Sequence, residues 1–428
     1  MDQICVNTDQ LRIGLYVANL DRPWLETPFL FQGFRIRDED EIAELRKYCQ
    51  SVYVDIEQSD LSEIEQRALR ASAQQAVPAN RERQRTDTTQ RKRAINVPEP
   101  DLTRTGQYYL DTEKLGKELE RAQGIQRNAT AAVSQMMDGI RNGHALDVPQ
   151  LEEVVDPLVD SVLRNRDAMA WLTRIRATDE YVYQHSIGSS VWAVVFGRHL
   201  GFDRDTLVAV GLGGMLLDVG KTKIPLDILR KAGSLTPEEM ALMRRHVEFG
   251  LDIIAEAGNV DPRVEIMLAT HHERFDGNGY PHNLSGTGIP VLGRIAGIVD
   301  TYDAMVTQRP YRNAVSTFDA MRNLQHLAKK EFQGEMIDQF VQAVGMFPTG
   351  SLVELNTGEV GVVVAQNNYQ RLRPEVMVIL DSDKNPCADF RSIDLRLNGA
   401  DANQHESLWI DRGLETGAFG IDPSEYFL

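Results

Sequence analysis

The stretch GGMLLDVGK, residues 213–221, sets Asp218 and Lys221 three residues apart at the end of an apolar run. Helical spacing puts Gly211, Gly214 and Asp218 on one face, with Lys221 beside them. Glycines on that face let other helices approach closely, which a crowded polar centre needs. An aspartate holding a metal, with a lysine next to it, suits a phosphate ester. An ion pair at a surface helix end is the plainer reading of the same two residues. The residue before Asp218 is Leu217, where a metal site calls for a histidine.

Further candidates cluster in the same half of the chain. His185 lies in YVYQHSIGSS and His246 in MRRHVEFG. His271 and His272 are adjacent and precede ERFDGNGYP, a glycine-rich turn. Asp300 and Asp303 lie in GIVDTYDAM. Histidine and aspartate together form a ligand set for divalent iron, manganese or zinc. His144, His199, His282, His326 and His405 stand alone and read as surface or satisfied core residues. TQRPYRNA contributes Arg309 and Arg312, either bidentate partners for phosphate oxygens or members of a solvated loop.

These residues need a scaffold, and 428 residues allow two to three domains. The pattern is multidomain α+β. Residues 1–70 carry strand-like GLYVANL and SVYVDI around the helical DEDEIAELRKYC, a small α+β domain without a receiver-like pattern. LDRPWLETPFLFQGFRI reads as a turn-rich packing element. Residues 71–107 have almost no large apolar groups to offset ordering entropy and read as a disordered linker. Residues 108–347 have helical periodicity and begin with a long amphipathic helix, suited to connecting or dimerising. SLTPEEMALMRRH opens with a capping signature. From 348 the period becomes two: SLVEL and VGVVVA flank the turn NTGE, EVMVILDSD follows, and a polar tail completes residues 348–428.

Composition narrows the class. A net charge of −17 argues against nucleic-acid polymers, so an anionic ligand needs local cations. The three cysteines are scattered, and no apolar run reaches the roughly 18 residues that span a bilayer. The start MDQICVNTDQ lacks the pattern of a signal peptide, and a cytoplasmic location is expected.

Taken together, these blocks resemble the HD-GYP family, all-α HD-type metal phosphohydrolases that hydrolyse the bacterial second messenger cyclic di-GMP. The match runs from about Tyr181 to Phe347, and the family's GYP loop is Gly279, Tyr280 and Pro281. Residues 1–70 resemble the small domain often found ahead of such modules. The resemblance implies two divalent ions, iron or manganese, on His185, Asp218, His246, His271, His272 and Asp300, with Asp218 bridging. It places Lys221 near the scissile phosphate, Arg309 and Arg312 on the phosphates, and Gly279, Tyr280 and Asp303 around the substrate. It implies roles in biofilm and motility signalling, and contacts at the GYP loop with diguanylate cyclases or other signalling proteins.

Two positions depart from the family. Leu217 replaces the histidine of the His-Asp pair, leaving three protein ligands for the second ion. Tyr181 stands where some members carry a glutamate for a third ion. Two-metal hydrolysis uses both ions to make the nucleophile and clamp the phosphate. Three outcomes stay open: hydrolysis to the linear dinucleotide or GMP, binding of cyclic di-GMP without turnover, and a scaffold.

Overall fold

A computed structural model describes residues 3–20, 34–36, 39–55, 59, 109–175, 181–231, 233–307, 314–328, 330–366, 372–396, 408–415 and 417–421. The expected linker, most of LDRPWLETPFLFQGFRI, Arg309 and Arg312 lie outside the described residues. Contacts divide the chain into two units, Met1–Ala94 with Asn367–Pro374, and Ile95–Gln366 with Glu375–Leu428.

In the first unit, strands β1 (Gln3–Asn7), β2 (Tyr16–Leu20), β3 (Phe34–Arg35) and β4 (Ser51–Asp55) form an antiparallel sheet in the order β1-β4-β2-β3. β4 shows why the strand pattern was readable: Val52 and Val54 are buried, while Tyr53 between them is 41% exposed. Helix α1 (Glu39–Tyr48) adds Ile42 and Leu45 to the same core.

The second unit opens with α2 (Leu115–Arg141), which buries Ala122, Gln126, Ala129, Val133, Met137 and Ile140 at spacings of three and four. It packs on α3 (Val148–Arg164), α4 (Arg166–Ile175) and α5 (Tyr181–Leu200). The apolar face of this helix is thus covered within the chain. Its first turn is pinned by Glu118, which is fully buried and accepts from Ser161 Oγ at 2.7 Å and from Arg164 Nε and Nη2 at 2.8 Å.

Helices α5 and α6 (Arg204–Leu216) are apolar almost all round and are therefore central. They meet α10 (Pro262–Thr270) and α11 (Val291–Val306). A Cβ on Gly214 would lie 2.7 Å from the Ser189 carbonyl oxygen, so only glycine permits this approach of α5 to α6. The helix stops at Leu216, short of Asp218, which starts a 3-10 turn over Val219–Lys223. After the short α7 (Leu226–Leu229), α8 (Pro237–Arg244) has Thr236 and Glu239 as a reciprocal capping box, and α9 (His246–Ala257) follows at once.

Helices α12 (Thr317–Leu327) and α13 (Gly334–Val344) complete the helical part. Asp338 in α13 has its carboxyl raised to about 6, by burial and by Glu335 one turn earlier. The folded chain therefore holds a proton that the unfolded chain releases near pH 4, and stability falls as pH rises from about 4 through 6. Asp338→Asn is expected to add about 1 kcal/mol at pH 7, after discounting for solvent screening, and nothing at pH 4. Urea unfolding at both values checks this, and an equal gain at both would refute the account.

The β module is a five-stranded antiparallel sheet, ordered β8-β7-β6-β5-β9. β5 (Leu352–Leu355) and β6 (Val360–Ala365) form the expected hairpin, followed by β7 (Glu375–Leu380) and β8 (Pro386–Asp394). The polar tail is not wholly irregular: β9 (Ile410–Gly413) pairs with β5 as an edge strand. No helix among the described residues is long and apolar enough to cross a membrane.

Candidate metal centre

Six side chains from five segments meet in the helical part. His185 lies in the first two turns of α5, Asp218 in the bend after α6, and His246 at the first position of α9. His271 caps the C-terminal end of α10, with His272 next, and Asp300 lies within α11. Ligand atoms of Asp218, His246, His271 and His272 fall within 4.8 Å of one another, as do those of His185, Asp218 and Asp300. Asp218 belongs to both groups.

The hydrogen bonds decide which ring nitrogens face the centre. His246 Nδ1 lies 2.7 Å from the Met243 carbonyl oxygen, and His271 Nδ1 lies 2.8 Å from that of Leu268. A carbonyl only accepts, so both Nδ1 atoms carry the proton and both Nε2 atoms present lone pairs. Those Nε2 atoms are 3.3 Å apart, and His272 Nε2 is 3.1 Å from that of His246. Burial lowers the pKa of all three rings, to about 4 for His246, so protonation does not relieve the crowding of acceptors. A cation between them does. Asp218 Oδ1 is buried without a hydrogen-bond donor, an acceptor that a bound cation would satisfy. The donor set fits divalent iron, manganese or zinc.

Charge is balanced around the carboxylates. Burial opposes ionisation of Asp218, yet Lys221, His246 and His185 together hold its pKa below the usual range. Lys221 Nζ is 2.5 Å from Asp218 Oδ2. This is the ion pair anticipated at a surface helix end, but Asp218 is only 4% exposed. His185 Nε2 lies 3.0 Å from Asp300 Oδ1 and 3.5 Å from Asp218 Oδ2. Burial acts to lower the pKa of His185, but hydrogen bonds to Asp300 and Asp303 outweigh it and raise the pKa.

Two expectations need correction. Asp303, expected at the substrate, is fully buried behind His185, 2.6 Å from Nδ1. It also accepts from Trp192 Nε1 at 3.0 Å and Thr307 Oγ1 at 3.1 Å, so it orients the ring instead. Gly188 makes room for it, because a Cβ there would lie 2.0 Å from Asp303 Oδ1. Gly279 is also buried, and a Cβ would come within 2.3 Å of the Arg274 backbone nitrogen. Its contribution is close packing of the loop on residues 272–274.

Asp303→Asn is expected to weaken metal binding at His185 by about 10–100-fold. An amide presents one oxygen where three donors now find two. Metal titration of the variant checks this, and unchanged affinity would place Asp303 outside the site's support.

The GYP loop builds a shelf over the centre. Tyr280 stacks on His272 with centroids 4.6 Å apart, and the Arg244 guanidinium lies 5.0 Å from the Tyr280 centroid. Residue-by-residue reading missed Arg244, although it stands in MRRHVEFG two residues before His246. It also missed Glu273, 3% exposed, which accepts from the backbone nitrogens of His282 and Leu284 at 2.6 and 2.8 Å and ties down the loop.

Helical fold and clustered ligands define an HD-domain phosphohydrolase, and comparison with known proteins agrees. Residues 164–336 match the HD domain, 352–400 a KOW domain associated with the HD domain, and 3–151 a domain of unknown function (DUF3391). A cyclic di-GMP phosphodiesterase of Pseudomonas aeruginosa is 31% identical over 376 residues, 87% of this chain and 84% of that protein. The chain belongs to the HD-GYP family of metal-dependent phosphodiesterases. Over shorter spans, a cyclic di-GMP phosphodiesterase of Thermotoga maritima is 37% identical (34% of this chain, 40% of that protein). A 3'3'-cGAMP-specific phosphodiesterase 2 of Vibrio cholerae is 36% identical (30% of this chain, 24% of that protein).

Proposed function

We propose that this chain hydrolyses cyclic di-GMP to linear pGpG, GMP or both, with two divalent ions, iron or manganese, as cofactors. The observation that carries this reading is the sharing of Asp218 between two ligand groups. Bound there, two ions would lower the pKa of water and neutralise charge on the phosphoryl oxygens. The chain's own residues do the rest. Asp218 and the histidines hold the centre, and Lys221 keeps a positive charge at its edge. Tyr280, stacked on His272, brings an aromatic edge to the centre for a base, and Arg244 a cation over its ring. Arg309 and Arg312 hold the phosphates in this reading. Asp276 and Asn278, exposed in the same loop, leave a surface for signalling proteins such as diguanylate cyclases.

Arg244 has no acidic partner within 4 Å among the described residues. Arg244→Ala is expected to raise KM about tenfold, the loss of one charge-assisted hydrogen bond, with kcat and metal content unchanged. A fall in kcat alone would contradict this role.

Leu217 motivates a second reading, binding of cyclic di-GMP without turnover. The experiment that separates the two uses protein purified anaerobically, loaded with Fe(II) or Mn(II) and incubated with cyclic di-GMP or 3'3'-cGAMP. Linear product supports hydrolysis. A ligand-dependent rise in Tm without product supports the sensor, and neither would leave a scaffold.

A further inference from the structure

The β module meets the helices around one cation. Gly350 lies on the Trp171 ring, and Phe318 stacks on Phe347 with centroids 5.1 Å apart. Between them is a cavity of about 20 Å³, lined by Arg174, Ser351, Val306, Val315, Phe318 and Leu414, among others. Arg174 Nε donates to the Ala170 carbonyl oxygen at 3.2 Å and Nη2 to that of Thr349. Both partners are neutral, and no carboxylate among the described residues lies within 4 Å of this guanidinium. Nη1 is buried without a partner, and so is Ser351 Oγ. Helix α12 begins at the same cavity with Thr317, and Asp319 in its first turn, which accepts from Ser316 Oγ at 2.7 Å, offsets the positive potential of its N-terminal end.

We propose that this cavity binds a small monovalent anion of chloride's size, with Arg174 as the charged wall and Ser351 as a second donor. Burial lowers the pKa of Arg174, and the charge of Asp167, beyond ion-pair distance, offsets this only in part. A water would satisfy Nη1 but leave the charge, whereas an anion meets both needs. The narrow space beside Nη1 suits a small ion, since a water-sized particle needs about 10–15 Å³. The site is separate from the candidate metal centre and does not depend on the phosphodiesterase reading. It makes the seating of the β module on the helices dependent on an anion.

The test is thermal unfolding of the full chain in sodium chloride, bromide and gluconate at equal ionic strength. Chloride at tenfold its dissociation constant is expected to raise Tm by roughly 3 °C over gluconate, which is too large to enter. Bromide should replace chloride, and Arg174→Met should lose the difference. Ser351→Ala, which keeps the guanidinium, should shift the chloride dependence several-fold to higher concentration. Crystals grown in bromide should show an anomalous peak beside Arg174 Nη1. Equal Tm in chloride and gluconate, a halide effect that persists in Arg174→Met, or absence of the bromide peak would each overturn the proposal.

Discussion

Asp218→Ala is expected to remove both halves of the metal centre at once and to lower turnover by at least about 10³-fold. The magnitude follows from the several kcal/mol that metal ions contribute to the transition state, at 1.36 kcal/mol per factor of ten. The side chain is shared: one carboxylate serves the three-histidine group and the His185–Asp300 group. Without it, four neutral or cationic groups face one another. His246, His271 and His272 crowd their lone pairs, and Lys221 loses its partner at 2.5 Å. Metal counting should fall toward zero per chain, and the rise in Tm on adding Mn(II) should vanish. A variant that keeps two ions and turns over substrate would show that Asp218 is peripheral.

Leu217→His is expected to act in the opposite direction. The His185–Asp218–Asp300 group has three ligands, and an added imidazole should strengthen an ion there by at least about 10–100-fold. The substitution is not neutral for the fold. Leu217 is 2% exposed, and a buried ring without a partner costs about 1–3 kcal/mol. The variant should therefore melt below wild type without metal and recover with Mn(II). Leu217→Ala is the control: it opens a cavity costing about 2–5 kcal/mol and offers no ligand, so metal should not rescue it. If occupancy rises but turnover does not, the missing histidine does not limit the reaction.

Much of this centre was legible because ligand chemistry is residue-specific. Histidine and aspartate in ordered blocks announced themselves, and the structure brings the six together. Spacing could not say which side of a ring each carboxylate meets. Asp303 is three residues from Asp300 on α11, yet one faces Nδ1 of His185 and the other Nε2. Spacing also carried Asp218 onto a helix that ends at Leu216, because a 3-10 turn leaves no clear period in sequence. β9 was invisible for another reason: a four-residue edge strand has too few alternations to stand out in a polar tail. Arg244 and Glu273 act through a folded loop, and no local pattern marks such partners.

Three of the site's histidines and its shared aspartate also sit at helix ends. His246 opens α9, His271 and His272 finish α10, and Asp218 follows the last turn of α6. Helix ends fray first, because their outer amides and carbonyls lack intrahelical partners. A cation gripped by these residues would stitch three helix ends together, so part of its binding energy would become local folding energy. Amide hydrogen exchange at these ends should slow on metal loading, while exchange in the middle of α5 stays nearly as it was.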